Sequence, residues 1–66
     1  MAILKVVEFQ AESTKSFDDA TNKAIVEAGK TGRTIRSVYI TDSQANAADD
    51  KVTFYKVSTK VTLEGD

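Results

Sequence analysis

The chain has 66 residues, with nine lysines and arginines against ten aspartates and glutamates, and it contains no cysteine and no histidine. A net charge of -1 provides no field to attract a nucleic acid or an anionic membrane, and the missing residues exclude disulfide bonds and the usual proton shuttle of neutral-pH catalysis. Any metal site would have to consist of oxygen ligands, which favour calcium or magnesium.

The length predicts a single domain over residues 1–66, and a core of that size gives only marginal stability. Because no disulfide can compensate, we expect several copies of the chain to associate. No apolar run reaches the length of a signal-peptide core or a membrane span, so we expect a cytosolic protein.

The first predicted strand covers residues 2–10 and carries apolar side chains on both of its faces. Val7 and Phe9 fall on one face, whereas Leu4 and Val6 fall on the other, because successive side chains of a strand alternate. We expect the domain's own core to cover one face and a neighbouring subunit to cover the other.

A helix is predicted to begin after Ser16, a favoured N-cap residue, with Asp19 three positions later as in a capping box. Apolar and small residues then recur at helical spacing. The predicted buried stripe consists of Phe17, Ala20, Ala24 and Ala28, with Thr21 and Ile25 beside it. Gly29, Lys30 and Gly32 predict the end of the helix, with a glycine as a left-handed cap and a cation at the carbonyl end.

The string Gly29-Lys30-Thr31 is similar to the end of a phosphate-binding loop. Such a loop needs an earlier glycine, where this chain has Ala24, and it stands before a helix rather than after one. Lys30 instead follows the predicted helix, at the negative end of its dipole. The sequence therefore argues against a nucleotide-binding loop.

Two further strands are predicted at residues 33–44 and 51–64, joined by a polar turn at residues 45–50. A short connection favours an antiparallel hairpin. The predicted fold is α+β, in the order β-α-β-β, with one helix on one face of a three-stranded, largely antiparallel sheet. One helix cannot cover such a sheet fully, so the second face is expected to hold subunit contacts and any ligand. The side chains predicted on that face are Ser37, Tyr39, Phe54 and Lys56. Alternation along the last strand predicts Tyr55, Val57, Val61 and Leu63 on its other face.

The order of these elements and several strings resemble the dodecins, small bacterial and archaeal proteins of about this length. The resemblance covers nearly the whole chain and rests on KVVEF, STKSFDDATNKAIVEAGKT, RTIRSVYI and DDKVTFYKVSTKVTLE. It implies a sheet partly wrapped around its helix and twelve copies assembled into a hollow homo-oligomer. It also implies binding of flavins such as FMN or riboflavin, as a store or scavenger rather than as an enzyme.

At two positions where the resemblance implies a flavin contact, this chain has a residue different from that of the flavin-binding dodecins. The tryptophan that stacks on the flavin ring corresponds to Ser37, which has no aromatic ring, and the glutamine that reads the ring edge corresponds to Lys56. Lysine donates hydrogen bonds but cannot accept one from a ring N–H. Because an aromatic stack contributes about 1–3 kcal/mol in comparable base-stacking cases, flavin binding is predicted to be weakened or lost. Tyr39 is a candidate substitute ring, although a subunit contact is the favoured role for its side chain.

Basic residues cluster after the helix at Lys30, Arg33 and Arg36. They could hold the phosphate of a nucleotide-like ligand, with Arg36 among the candidate ligand-binding residues, or they could pair with acids of a neighbouring copy. Ser37 and Lys56 are expected near each other across the sheet. A nucleophile built from them would lack an oxyanion-hole turn and an orienting third group, so no enzyme is predicted.

Acidic residues flank the hairpin at Asp42, Asp49 and Asp50. Converging carboxylates could bind calcium, although the alternating spacing of a dedicated calcium loop is missing. The sequence thus leaves three functions open, namely a small-ligand store of the dodecin type, a calcium-binding shell and a purely structural assembly.

Overall fold

The computed structural model of the protein describes residues 3–65. Met1, Ala2 and Asp66, and with them the predicted start of the first strand and both ends of the predicted domain, lie outside the described residues. The elements are β1 (Leu4–Ser13), α1 (Phe17–Gly29), β2 (Thr34–Ala48) and β3 (Lys51–Glu64). The strands form one antiparallel sheet in the order β1-β3-β2, which confirms the predicted α+β fold.

Strand β1 continues three residues beyond the predicted end and closes at Ser13. It pairs with β3 along its whole length, up to Ser13 opposite Tyr55. The final residues of β1, Gln-Ala-Glu-Ser, have little intrinsic strand preference, and their pairing with β3 decides their conformation. The predicted boundary was therefore wrong for a reason that lies in the tertiary structure.

The start of α1 is fixed by two serines. The Ser16 hydroxyl accepts a hydrogen bond from the Asp19 N–H at 2.9 Å, which confirms the predicted N-cap. Asp19 does not complete a capping box, because its carboxylate accepts a hydrogen bond from the Ser13 hydroxyl at 2.6 Å instead. That hydrogen bond, aided by the charge of Lys23, lowers the pKa of Asp19 despite its partial burial. The end of β1 is thereby tied to the first turn of the helix.

The helix ends at the predicted position. Lys30 follows its last residue, Gly29, in an ordinary right-handed conformation, with φ at -67°, and its N–H lies within hydrogen-bonding distance of the Val26 and Glu27 carbonyls. The predicted left-handed glycine is Gly32, with φ at 78°, and not Gly29, because the chain passes through Lys30 and Thr31 before it needs the conformational freedom of glycine.

The core lies between α1 and one face of the sheet. The helix contributes the buried side chains of Ala20, Ala24 and Ala28, and the sheet contributes those of Val57, Val61 and Leu63. The predicted burial of the three alanines and the predicted inner face of β3 are thus confirmed, whereas Phe17, predicted in the same buried stripe, is 37% exposed. Thr59 is buried among them, and its hydroxyl donates to the Phe9 carbonyl at 2.9 Å, so its polarity is satisfied.

The hairpin between β2 and β3 is longer and tighter than predicted. Strand β2 continues to Ala48, opposite Lys51, and the turn consists only of Asp49 and Asp50, with φ at 54° and 63°. Two central residues with positive φ are the geometry of a two-residue hairpin turn, which aspartate tolerates better than most residues. The predicted polar turn at residues 45–50 was wrong, since its first four residues are strand.

The hairpin extends beyond β1, and we call residues 46–54 the arm. The chain measures 53 × 18 × 12 Å, with a radius of gyration of 13.6 Å, whereas a compact chain of this length would have roughly 11 Å. Within residues 3–65, no helix is long and apolar enough to cross a membrane. The elongated shape means that much of the hairpin lacks cover from its own chain.

Candidate functional site

The candidate site lies on the side of the sheet that faces away from α1, which we call the uncovered face. The pairing register places Ser37 opposite Thr62 and Tyr39 opposite Lys60, and further along β3 it places Lys56 opposite Gln44. These side chains alternate with the buried residues of β3 and therefore point away from the helix. The predicted position of Ser37, Tyr39 and Lys56 on this face is confirmed.

The structure separates Ser37 from Lys56. Ser37 lies opposite residue 62 of β3, six residues from Lys56, which corresponds to roughly 20 Å along a strand. The prediction that the two side chains lie near each other is wrong within one chain, and a serine–lysine pair cannot form there. A site that uses both residues has to take them from two copies of the chain.

The surroundings of Ser37 are partly apolar. Val6 and Ser37 flank Thr62 in one row across the three strands, and Tyr39 follows in the next row of β2. Val6 and Tyr39 are 59% and 69% exposed, and Leu4 at the start of β1 is 64% exposed. Exposed apolar side chains grouped on one sheet face are typical of an interaction surface.

The surroundings of Lys56 are polar. Glu12 and Gln44 flank it in one row across the sheet, and the half-buried Lys56 ammonium makes no ion pair with any residue of the 3–65 range. Lysine has three N–H donors and no acceptor. This end of the uncovered face is therefore suited to groups that accept hydrogen bonds or carry negative charge.

The basic cluster after the helix is partly neutralised within the chain. Arg36 occupies an irregularity of β2 between Ile35 and Ser37, and its Nε lies 3.1 Å from a Glu64 carboxylate oxygen. Lys30 likewise lies 2.9 Å from Glu27. In the part of the chain that the structure describes, Arg33 makes no ion pair. The Arg36 side chain is 61% exposed and Arg33 is half-buried. An exposed pair such as Arg36–Glu64 contributes little stability, so it does not prevent Arg36 from binding a charged partner.

The three candidate metal ligands are spread along the hairpin. Asp42 lies opposite Ser58, whereas Asp49 and Asp50 form the turn beside Lys51. Seven residues of strand from Ser58 to Lys51 correspond to roughly 24 Å. Residues 3–65 contain no group of three or more acidic side chains close enough to hold one ion, so a single chain does not bring the predicted calcium ligands together.

A groove of about 450 Å³ runs between α1 and the edge of β1, away from every predicted site residue. Its lining includes Ala11 and Val26 together with charged side chains such as Lys23 and Glu27. Sequence reasoning missed this groove. The only signal was Val26, an apolar residue outside the predicted buried stripe, which is 61% exposed.

Comparisons with known proteins agree with this geometry. The family model described as Dodecin matches residues 3–66. A dodecin from Streptomyces davaonensis has a similar structure, with a TM-score of 0.87 and 18% identity over 98% of this chain and 96% of that one. An arginine-to-alanine variant of the Thermus thermophilus dodecin has a TM-score of 0.89 and 21% identity over 100% of this chain and 98% of that one.

A dodecin from Streptomyces coelicolor has a TM-score of 0.87 and 22% identity over 98% of this chain and 93% of that one. No curated protein matches the sequence. At these identities the structural similarity shows a shared fold, and the family match spans nearly the whole chain.

Proposed function

The chain belongs to the dodecin family, which comprises small flavin-binding and storage proteins, and from that premise we propose that it is a homo-oligomeric, non-enzymatic small-ligand binding protein with weakened flavin affinity. FMN and riboflavin are the ligands that the family implies. Twelve copies are the number that it implies, and a cytosolic location stays a prediction.

The main observation behind the proposed homo-oligomer is the distance between Ser37 and Lys56 on the uncovered face. Ser37 on β2 and Lys56 on β3 are separated by roughly 20 Å along the sheet, and a ligand the size of a flavin ring system cannot contact both side chains in one chain. Two copies that meet through their uncovered faces could bring Ser37 of one copy near Lys56 of the other. The same contact would cover the exposed side chains of Leu4 and Val6.

Weakened flavin affinity follows from the chemistry of the two residues. Ser37 provides a hydroxyl where a stacking ring is needed, and Lys56 cannot accept a hydrogen bond from a ring N–H. Tyr39 lies two residues from Ser37 and is 69% exposed, so it is the candidate for any residual stacking. A ligand that accepts hydrogen bonds from Lys56 and depends less on stacking would suit this face better than a flavin.

Restoring the stacking ring tests the ligand site. We expect Ser37→Trp, alone or with Lys56→Gln, to tighten FMN and riboflavin binding roughly tenfold or more, since a stack contributes about 1–3 kcal/mol. Quenching of flavin fluorescence measures the affinity. Lys15→Trp, which adds the same ring in the exposed loop between β1 and α1, is the control. Equal flavin affinity of the Ser37 and Lys15 variants would contradict the assigned site.

Native mass spectrometry of the freshly purified protein distinguishes the alternatives. A retained organic molecule supports the small-ligand store, retained calcium supports the calcium-binding shell, and an assembly without either supports a structural role. For the calcium alternative, heats of calcium binding that do not change on removal of the Asp49 and Asp50 carboxylates would exclude these residues as ligands.

A further inference from the structure

We propose that the arm of one copy docks on the opposite end of another copy, where Arg33 and Arg36 receive the Asp49–Asp50 turn and the exposed start of β1 receives the apolar side of the arm. This inference rests on the proposed homo-oligomer and adds which surfaces meet. The two surfaces differ and lie at the two ends of a molecule 53 Å long.

The tip of the arm presents concentrated negative charge. Asp49 and Asp50 are adjacent, both are exposed, and both have positive φ. An Asn-Gly pair would fit such a turn without two neighbouring like charges. Neither aspartate forms an ion pair with another residue of the 3–65 range, so a cationic surface on another molecule would stabilise this turn.

One side of the arm is apolar. A register irregularity leaves Thr53 with no residue of β2 directly opposite it and places Val52 opposite Ala47. Val52 thereby lies on the same side of the sheet as α1, beyond the part that the helix covers. The helix begins only at Phe17, which packs against Tyr55 at the base of the arm with ring centroids 4.9 Å apart. Val52 is 49% exposed because the helix does not extend over the arm.

The opposite end of the molecule presents the complementary chemistry. Ile3 and Leu4 are 57% and 64% exposed, and the Gly65 N–H donates to the Ile3 carbonyl at 3.1 Å, which fixes the backbone there. The Arg33 side chain lies against Gly65, and the Arg36 side chain is exposed beyond its pair with Glu64. Apolar surface and cations therefore stand together at this end.

Docking of these two ends would place the Asp49–Asp50 carboxylates beside arginines of opposite charge. It would also place the apolar side of the arm on the exposed side chains of Ile3 and Leu4. Because the surfaces differ, the contact is heterologous, and heterologous contacts close into rings when the rotation between copies permits. A closed assembly of many copies is what the proposed function requires. The exposed ion pairs also make the contact sensitive to salt, since salt screens charges at solvent-exposed sites.

The arm is tested with Asp49→Asn combined with Asp50→Asn. Asparagine tolerates positive φ at least as well as aspartate, so the hairpin should keep its structure while the tip loses its charge. We expect the protein concentration at half-assembly, measured by sedimentation velocity, to rise about tenfold or more. Asp18→Asn combined with Glu27→Gln changes the net charge equally on the exposed surface of α1, away from both docking surfaces and from the uncovered face, and should leave that concentration within about twofold of the wild type.

A double-mutant cycle assigns the partner surface. Arg33→Gln alone should also raise the half-assembly concentration, and adding it to the two asparagine substitutions should raise that concentration little further, because both changes remove one contact. A wild-type chain that sediments as a monomer would contradict the proposed homo-oligomer itself. An assembled wild type whose arm variant behaves like the control, or whose arm and Arg33 effects simply add, would overturn the arm contact alone.

Discussion

The two faces of the sheet both carry apolar side chains, but they have opposite surroundings. On the covered face, Val61 and Leu63 are fully buried and pack with Ala28 of α1. On the uncovered face, Leu4, Val6 and Tyr39 are more than half exposed. The covered face accounts for the fold of one chain, whereas the apolar side chains of the uncovered face have no cover from their own chain. This contrast is why we propose the ligand site and the contacts between copies on the uncovered face.

Two leucine substitutions give the largest expected difference between the faces. Leu63→Ala should lower the free energy of unfolding by about 2–5 kcal/mol, because it leaves a cavity in a small core. Leu4→Ala removes the same atoms from the uncovered face and should change the unfolding of the separated chain by less than about 0.5 kcal/mol. Urea denaturation at protein concentrations below assembly measures both, and equal losses would contradict the assignment of the two faces.

The covered face also depends on the cap that positions α1. Ser16→Ala should lower the free energy of unfolding by about 1 kcal/mol, because the Asp19 N–H loses its hydrogen-bond acceptor. Ser16→Gly should cost only a few tenths of a kcal/mol, since glycine is itself tolerated at an N-cap. Thermal unfolding monitored by circular dichroism ranks the two variants, and a glycine variant that is less stable than the alanine variant would contradict this account of the cap.

The smallest expected effect is a pH dependence of the junction between β1 and α1. The pKa of Asp19 is lowered below its ordinary value of 3.8, first of all by the Ser13 hydroxyl. The carboxylate therefore stabilises the fold above that value, and this contribution is lost as the pH falls through the lower pKa of the folded chain. In the wild type, the free energy of unfolding should therefore fall as the pH is lowered below about 5. In the Asp19→Asn variant this fall should be smaller, and urea denaturation at several pH values measures both.

Asp18→Asn is the matched control, because Asp18 also lies in the first turn of the helix but makes no hydrogen bond with Ser13 in residues 3–65. This control should keep the acid response of the wild type. An Asp19→Asn variant with an unchanged acid response would show that the Ser13 contact does not couple folding to pH.

The sequence predicted the parts of the fold that depend on local pattern. Alanines at helical spacing identified the buried stripe of α1, and alternation in residues 51–64 identified the inner face of β3 together with its bounds. Ser16 identified the helix start for the same reason, because an N-cap acts within one turn.

The prediction failed where distant pairing decides the structure. Residues 45–48 are three alanines and one asparagine, which have little intrinsic strand preference, yet pairing with β3 makes them strand. The distance between Ser37 and Lys56 depends on the register between β2 and β3, which no single-strand pattern contains. The candidate site could therefore be assigned to the correct face but not assembled, and the contacts between copies could not be located.

Sedimentation velocity of the wild-type protein over a range of concentrations tests the central claim most directly, because the claim is that copies of the chain cover the bare side of the sheet. The account predicts one large species, near twelve times the 7.2 kDa chain mass, that dissociates only on strong dilution. A folded 7.2 kDa species that persists at high protein concentration would contradict it.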